Sequence, residues 1–177
     1  MRGLLVCLLL LAGSVNAEER VKLRQALLEL QYPFTVMCVA AHPDDEDSDG
    51  LAYFRMRYGA RTVLVTATRG EGGQNSLGPE LYDELAVVRM RELARAAERL
   101  DALTFNLAMP EFGFSKSAEE SFQYWDKKEA LRRLVYAIRL YRPDIVVTTH
   151  NSKTGHGHHR ATRILAEEAI DMAADRL

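Results

Sequence analysis

Short apolar stretches rich in β-branched residues alternate along the chain with segments of helical periodicity. Four stretches are predicted strands, at residues 35–41, 62–66, 103–107 and 145–149. Segments 48–58, 81–100, 127–141 and 158–175 place apolar residues at helical spacing and are predicted helices. This alternation predicts an α/β fold, a Rossmann-like three-layer sandwich with a mostly parallel sheet and right-handed crossovers.

Polar motifs follow three of the predicted strands. His42 follows the first strand, residues 68–73 follow the second, and residues 150–159 follow the fourth. In parallel α/β sheets, ligands bind beyond the carboxyl ends of the strands, which lie at one edge. We therefore expect these motifs to form one site, with residues 76–79 and 110–121 as loops over it.

The first motif, His42-Pro43-Asp44-Asp45, offers one imidazole and two carboxylates within four positions. Pro43 cannot continue a hydrogen-bonded ladder, so the chain leaves the strand there. His42 and Asp45, three positions apart in a turn, can converge on one cation, while Asp44 projects differently. The alternative is that Asp44 and Asp45 cap the following helix.

The last motif adds three imidazoles within four positions, at His156, His158 and His159. His159 falls in the first turn of the last predicted helix and would complete a ligand set with His42 and Asp45; His158 is the competing third ligand. Three protein ligands and one open position are the usual arrangement of a catalytic zinc. We therefore predict one Zn²⁺, with an affinity that falls below about pH 6 because histidine titrates near pH ~6.5.

Three other features have more than one interpretation. Asp44 is the carboxylate left over once Asp45 binds the metal, and such a group can take a proton from water. Arg89, on the helix at 81–100, could bind an oxygen-rich substrate or form a surface ion pair with Glu92. The glycine-rich segment 68–73 belongs either to the site or to a flexible turn.

Composition places the chain among ordinary globular enzymes. It has 177 residues, of which 47% are hydrophobic and 27% charged, enough for one domain with a core. The net charge of -2 does not indicate a nucleic acid or an anionic membrane surface as the partner. Cys38 lies in an apolar run and is expected to be a buried free thiol.

The first 17 residues have the pattern of a signal peptide. Arg2 precedes an apolar stretch at 4–12, and Ala17 is a small residue of the kind that precedes cleavage. The alternative, a membrane anchor, would need roughly 20 apolar residues. We therefore expect an exported protein, periplasmic or secreted, with no integral membrane segment after cleavage. Residues 18–34 would lead into a domain at 35–177, which we expect to be C-terminally truncated because an α/β sheet normally continues past a helix like 164–177.

The chain resembles the PIG-L/LmbE superfamily of zinc-dependent de-N-acetylases, and its segments 39–47, 70–75 and 112–116 are most similar to an exported bacterial branch. The resemblance spans most of the chain after residue 35 and rests on four motifs. These are Ala41-His42-Pro43-Asp44-Asp45-Glu46, Thr68-Arg69-Gly70-Glu71-Gly72, Arg89-x-x-Glu92-Leu93 and His156-x-x-His159. The resemblance implies removal of an N-acetyl group from an amino sugar or glycoconjugate.

The resemblance also implies a role for each residue that matches a motif. His42, Asp45 and His159 would hold the zinc ion, and Asp44 would be the general base. His156 would stabilise the oxyanion or protonate the leaving amine. The residues expected to bind substrate are Arg89, Arg69 and Glu71.

The chain departs from the family pattern at several positions. Gly157 and His158 stand where the family often has Pro and Asp, and Glu111 stands where Asp is common. Two other functions remain open at this point. One is a carbohydrate-binding module that keeps the metal without turnover, and the other is a different metal-dependent amide or ester hydrolase, for example a phosphoesterase.

Overall fold

A computed structural model describes residues 16–175, so most of the predicted signal peptide, residues 1–15, lies outside the described part. All four predicted strands and all four predicted helices are confirmed, with ends that differ by at most two residues. Two further helices, α1 and α4, were not predicted. In chain order the elements are α1 (Ala17–Gln31), β1 (Thr35–Ala40), α2 (Ser48–Tyr58), β2 (Arg61–Thr66), α3 (Asp83–Leu100), β3 (Ala102–Asn106), α4 (Ala118–Tyr124), α5 (Lys127–Tyr141), β4 (Ile145–Val147) and α6 (Gly157–Ala174).

The four strands form one parallel sheet in the order β3-β2-β1-β4. The predicted fold class is therefore confirmed. The chain moves outward from β1 to β2 and β3, then crosses back so that β4 pairs with the other side of β1. This reversal opens a crevice beyond the carboxyl ends of β1 and β4, where ligands bind in sheets of this type.

Two apolar clusters, one on each face of the sheet, make the three layers. Alternate residues of β1 point to opposite faces, so Cys38 belongs to one cluster and Met37 to the other. Leu93 of α3 packs in the cluster of Cys38, while Leu134 of α5 and Leu165 of α6 pack in that of Met37. All five side chains are almost fully buried, which fixes the strand ends relative to the helices that carry site residues.

The two unpredicted helices begin at ordinary capping signals. Asn16 and Glu19 form a reciprocal capping box at the start of α1. The Ser117 hydroxyl accepts a hydrogen bond from the backbone N–H of Glu120 (3.1 Å), so the predicted loop at 110–121 is wrong at its end, where α4 begins. Between residues 16 and 175, no helix is both long enough and apolar enough to cross a membrane.

Candidate metal centre and active site

A cleft of about 500 Å³ lies at the carboxyl edge of the sheet. The segments that follow all four strands contribute to its wall, and α3 adds one residue, so the three predicted motifs do meet at one edge. The lining residues are His42, Asp44, Asp45, Gly72, Gly73, Gln74, Arg89, Glu111, Gly113, Phe114, His156 and His159.

The first motif forms a tight turn directly after β1. The His42 carbonyl accepts hydrogen bonds from the backbone N–H groups of Asp44 (3.0 Å) and Asp45 (3.3 Å). The cap of α2 is a later residue, Asp47, whose carboxylate accepts from the N–H of Gly50 (2.9 Å). The alternative that Asp44 and Asp45 cap this helix is therefore wrong, and both carboxylates are available to the cleft.

Three potential ligand atoms converge in the cleft. His42 Nδ1 lies 2.7 Å from Asp45 Oδ2. His159 Nε2 lies 3.2 Å from the same oxygen and 3.3 Å from His42 Nδ1. Ligands that each bind zinc at about 2.0–2.2 Å are separated by similar distances, so the three atoms can share one ion.

A second group of histidines also meets the distance criterion for a metal, formed by His42, His156 and His158. It shares His42 with the first group but contains no carboxylate to balance the charge of a divalent ion. His156 Nδ1 already accepts a hydrogen bond from the backbone N–H of His158 (3.0 Å). The first group is therefore the better metal site.

His158, the competing third ligand, lies against the other ring nitrogen of His42, with its Nδ1 3.1 Å from His42 Nε2. Its side chain is fully buried, stacked on Trp125 and edge-on to Phe112. Its Nδ1 lies 3.3 Å from a Glu111 oxygen. This packing leaves His159, on the first turn of α6, as the imidazole that reaches Asp45.

The two adjacent carboxylates of the first motif have different surroundings. The Asp45 side chain is 18% exposed, while that of Asp44 is 67% exposed. Burial would raise the pKa of Asp45, but hydrogen bonds with His159 and His42 hold it well below its usual range. Asp44 Oδ1 pairs instead with Arg89 Nη2 at 2.8 Å.

Charge around His42 makes its imidazole unusually basic. Burial would lower the pKa of His42, but hydrogen bonds with Asp45 and Glu111 raise it to about 9. The opposite shift occurs at His156, where burial and the neighbouring histidines, His158 first, lower the pKa to about 4. His156 is therefore neutral at pH 7, with its proton on Nε2 because Nδ1 accepts the helix N–H.

Arg89 lines the cleft, as the substrate-binding prediction requires. The alternative, a surface ion pair with Glu92, is not formed. The Arg89 guanidinium donates to the Gly70 carbonyl (3.0 Å) and pairs with Asp44. Gly70 has a φ of 73°, and a side chain there would collide with Arg89. The glycine thus gives Arg89 its route to the cleft.

Arg69 and Glu71, also predicted to bind substrate, do not line the cleft. The Arg69 guanidinium pairs with Glu71 (3.2 Å) and with Asp83 at the start of α3 (3.1 Å). This pairing ties the loop after β2 to α3, and it accounts for the positions of both side chains without a substrate. The structure therefore places both side chains outside the cleft lining, and their contact with substrate stays a prediction.

Sequence reasoning missed several residues of the site. Glu111 was noted only as a departure from a family pattern, although it follows β3 at the same edge as the other motifs. Gln74 and Phe114 also line the cleft, although no role was predicted for either. His150 is buried, accepts from the N–H of Ala41 (2.9 Å) and stacks on His159 with ring centroids 4.2 Å apart.

Comparisons with known proteins show strong similarity to one family. Residues 37–170 match the sequence model described as PIG-L, GlcNAc-PI de-N-acetylase. A 1D-myo-inositol 2-acetamido-2-deoxy-alpha-D-glucopyranoside deacetylase of Geodermatophilus obscurus is 32% identical over 158 residues, which is 79% of this chain and 54% of that protein. A mycothiol S-conjugate amidase of Streptomyces coelicolor is 32% identical over 156 residues, or 79% and 53%. The chain thus spans about half the length of the curated relatives it matches.

Two solved structures share the fold. An N,N'-diacetylchitobiose deacetylase from Pyrococcus horikoshii has a TM-score of 0.62 and 25% identity, covering 89% of this chain and 59% of its own. A 4-carboxy-2-hydroxymuconate hydratase from Pseudomonas putida has a TM-score of 0.67 and 22% identity, covering 80% and 57%. The second similarity speaks for the fold alone, since one fold can carry unrelated chemistry.

Proposed function

The chain belongs to the PIG-L (GlcNAc-PI de-N-acetylase) family, and from this premise we propose that it is a zinc-dependent hydrolase. Its reaction is removal of an N-acetyl group from an amino sugar or glycoconjugate. The observation that carries the proposal is the convergence of His42 Nδ1, Asp45 Oδ2 and His159 Nε2, beside a second carboxylate in a different environment.

The residues fit a divalent metal. Two imidazoles and one carboxylate are a ligand set that zinc accepts in catalytic sites, and the cleft leaves a further position open. When bound, such an ion polarises a carbonyl and makes water more acidic. The group of His42, Asp45 and His159 would hold it, and His150 would fix the ring plane of His159 through stacking.

Asp44 is the general base of the proposed reaction. It lines the cleft without belonging to the ligand group, and among the described residues only its Oδ1 has an ion-pair partner. Oδ2 can therefore receive the proton of the attacking water and later pass it to the leaving amine. Arg89 holds the Asp44 carboxylate in place through its pair with Oδ1. This is a positioning role in addition to any contact with substrate.

His156 acts as a neutral hydrogen-bond donor. The N-terminal N–H of α6 occupies Nδ1, so Nε2–H is the group that can face the substrate. A fixed N–H donor stabilises the oxygen on which negative charge develops during amide hydrolysis. We therefore assign oxyanion stabilisation to His156. Protonation of the leaving amine, its other expected role, we assign to Asp44.

The substrate class follows from the relatives and from the cleft wall. The matched proteins are named as acting on N-acetylated amino-sugar conjugates and a diacetylated disaccharide. In this chain, Phe114 is 73% exposed and lines the cleft with its ring centroid 4.9 Å from that of His156. A large exposed aromatic ring at the mouth of a polar cleft offers a flat apolar surface, which suits the face of a sugar ring.

We propose export as the setting of this reaction. The support is the charged start, the short apolar stretch and Ala17 in the first 17 residues. The mature chain would then begin near Glu18 and keep the domain at 35–177. N-terminal sequencing of exported protein should give Glu18 or a close neighbour. Retention of Met1, or protein found only in the cytosol, would contradict it.

The experiment for the proposed function is a substrate panel. Purified protein is incubated with N-acetylglucosamine conjugates, chitooligosaccharides, aryl esters and aryl phosphates, and acetate and phosphate are measured. We expect acetate from the N-acetylated sugars, lost after a chelator and recovered with zinc. Binding of zinc and sugar without acetate would favour the binding module, and phosphate release would favour a phosphoesterase.

A further inference from the structure

Glu111 is a buried carboxylate beneath the proposed metal site, and no metal-binding or catalytic role has so far been given to it. Its side chain is 2% exposed and carries a full set of hydrogen-bond partners. Oε2 lies 3.1 Å from His42 Nε2 and accepts from the Thr68 hydroxyl at 3.0 Å. Oε1 lies 3.3 Å from His158 Nδ1 and accepts from the N–H of Gly113 at 2.9 Å.

These four contacts use the whole acceptor capacity of the carboxylate. An ionised carboxylate offers about four lone-pair sites, two on each oxygen, and each oxygen here lies within 3.3 Å of two groups that can donate. His42 Nε2 and His158 Nδ1 also lie 3.1 Å from each other, and the carboxylate bridges the two rings. Although Glu111 reaches the wall of the cleft, no lone pair remains for a substrate hydroxyl. Its role is therefore directed at the protein, and its two imidazole partners are the groups on which it acts.

We propose that Glu111 is a positioning residue that prepares His42 to bind the metal. By accepting the proton of His42 on Nε2, it leaves Nδ1 as the nitrogen that faces Asp45 and His159 and that can bind the metal. A carboxylate behind a metal-bound imidazole fixes its tautomer and ring orientation and strengthens it as a ligand. This inference rests on the metal site proposed above.

The length of the Glu111 side chain matters to this arrangement. Glutamate brings its carboxylate one methylene further from the backbone than aspartate would, and here that reach spans from the loop after β3 to the ring of His42. The same carboxylate also holds His158, which is packed between Trp125 and Phe112. Glu111 thereby joins the turn after β1 to the first turn of α6, the two segments that supply the metal ligands.

The test measures zinc affinity rather than turnover. The dissociation constant of zinc is determined by competition with a chelating dye for the wild-type protein and for Glu111→Gln, above about pH 9 so that protons do not compete with zinc for His42. The amide offers only one acceptor oxygen and turns N–H groups toward other donors, so we expect the dissociation constant to rise roughly 10–100-fold. Replacing zinc with Co²⁺ should also show a shifted d–d absorption band in Glu111→Gln.

Two further variants keep the result interpretable. Glu111→Asp keeps the charge but withdraws the carboxylate, and it should also raise the dissociation constant by about tenfold or more. Thr68→Val is the matched control: it removes one neutral donor to the same oxygen and should change the constant by less than about threefold. Melting of the metal-free proteins reports whether each variant is folded.

The outcomes separate this inference from the proposed function. Folded Glu111→Gln or Glu111→Asp protein that binds zinc as tightly as wild type would overturn the role of Glu111 alone. An equal loss in Thr68→Val would also overturn it, because the effect would then belong to the loop. Wild-type protein that binds no zinc, or that keeps its zinc after His42→Ala, would overturn the metal site itself.

Discussion

Two neighbouring aspartates at the start of the site differ only in what surrounds them. Asp45 is turned inward, where His42 and His159 hold its pKa well below the usual range, although burial alone would raise that pKa. Asp44 is turned toward the cleft and is largely exposed, with Arg89 on one oxygen. The same residue type can thus serve as a metal ligand at one position and as a base at the next.

Substitution by asparagine should separate these roles. We expect Asp44→Asn to keep bound zinc and to lower the rate of acetate release by roughly 10²–10⁴-fold, the usual contribution of a general base. Asp45→Asn should lose zinc, because it removes the only carboxylate of the ligand group. Metal content and kcat, measured on both variants, check this. Loss of zinc in Asp44→Asn with retention in Asp45→Asn would exchange the two assignments.

Zinc binding should displace a proton from His42. The ordinary histidine pKa predicts that affinity falls only below about pH 6. The pKa of His42 in the metal-free protein, raised to about 9 by Asp45 and Glu111 against the effect of burial, shifts this limit upward. A raised pKa keeps the ring protonated at pH 7, so affinity should rise with pH until about 9 and then level off.

Calorimetry in buffers of different ionisation enthalpy measures this exchange. We expect about one proton released for each zinc ion bound at pH 7, and almost none near pH 10. Glu129→Gln is a suitable control, because Glu129 is a carboxyl group with a lowered pKa that pairs with Arg132 and Arg133 at the surface. This variant should release the same number of protons as the wild-type protein. A proton count near zero in the wild-type protein at pH 7 would contradict the account of His42.

Much of the site could be predicted at the residue scale because its motifs hold several potential ligand side chains within a few positions. His42, Asp45 and His159 stand out as ligand types at the ends of strands. Glu111 stands alone in sequence, and its role depends on where the loop after β3 folds back, so no local pattern indicates it. The position of Arg69 was not predictable for the opposite reason: its motif is conspicuous, yet its partner Asp83 comes from another element.

The site residues lie at the ends of strands and helices, and the positions of these ends place them in the cleft. β1 ends just before His42, α2 begins after Asp47, and α6 begins so that His159 lies in its first turn. Strands and long helices were predictable because continuous apolar runs and helical periodicity are local signals. The short α4 was missed although Ser117-Ala118-Glu119-Glu120 carries the capping pattern, since a helix of seven residues is too short to show a clear apolar period.

The acid cluster after β1 offers a test at this scale. Asp47 caps α2, as its carboxylate accepts from the N–H of Gly50. Asp47→Ala should lower the free energy of unfolding by about 1 kcal/mol, the usual cost of losing such a cap. Zinc content should not change, because Asp47 is not in the ligand group. Denaturant unfolding and metal analysis check both parts. Loss of zinc with unchanged stability would move Asp47 into the site.

At the scale of the whole molecule, the site lies where the strand order of the sheet reverses, next to β1. β1 is the only strand among the described residues that pairs with both β2 and β4, and the loops after these strands bring ligands, base and donor to one cleft. The fold by itself does not fix the reaction, since a hydratase shares it. What favours de-N-acetylation is the family membership together with the residues in the cleft.

Substrate recognition is a property of the assembled cleft. If Phe114 supports a sugar ring, Phe114→Ala should raise KM for an N-acetylated disaccharide about tenfold, near ~1.4 kcal/mol, with little change in kcat. Steady-state kinetics give both constants. Tyr136, an exposed aromatic residue on α5, is the matched control, and Tyr136→Ala should leave KM unchanged. Equal kinetics for wild type and Phe114→Ala would contradict a role of this ring in binding.

The central claim is that one zinc ion, held by His42, Asp45 and His159, supports amide hydrolysis in this chain. The most direct measurement is the rate of acetate release from an N-acetylated amino sugar as zinc is added stepwise to metal-free protein. We predict a rate that rises in proportion to zinc and reaches its plateau at one equivalent per chain, with no rise in His159→Ala. Full activity without zinc, or a plateau that requires two equivalents, would contradict the claim.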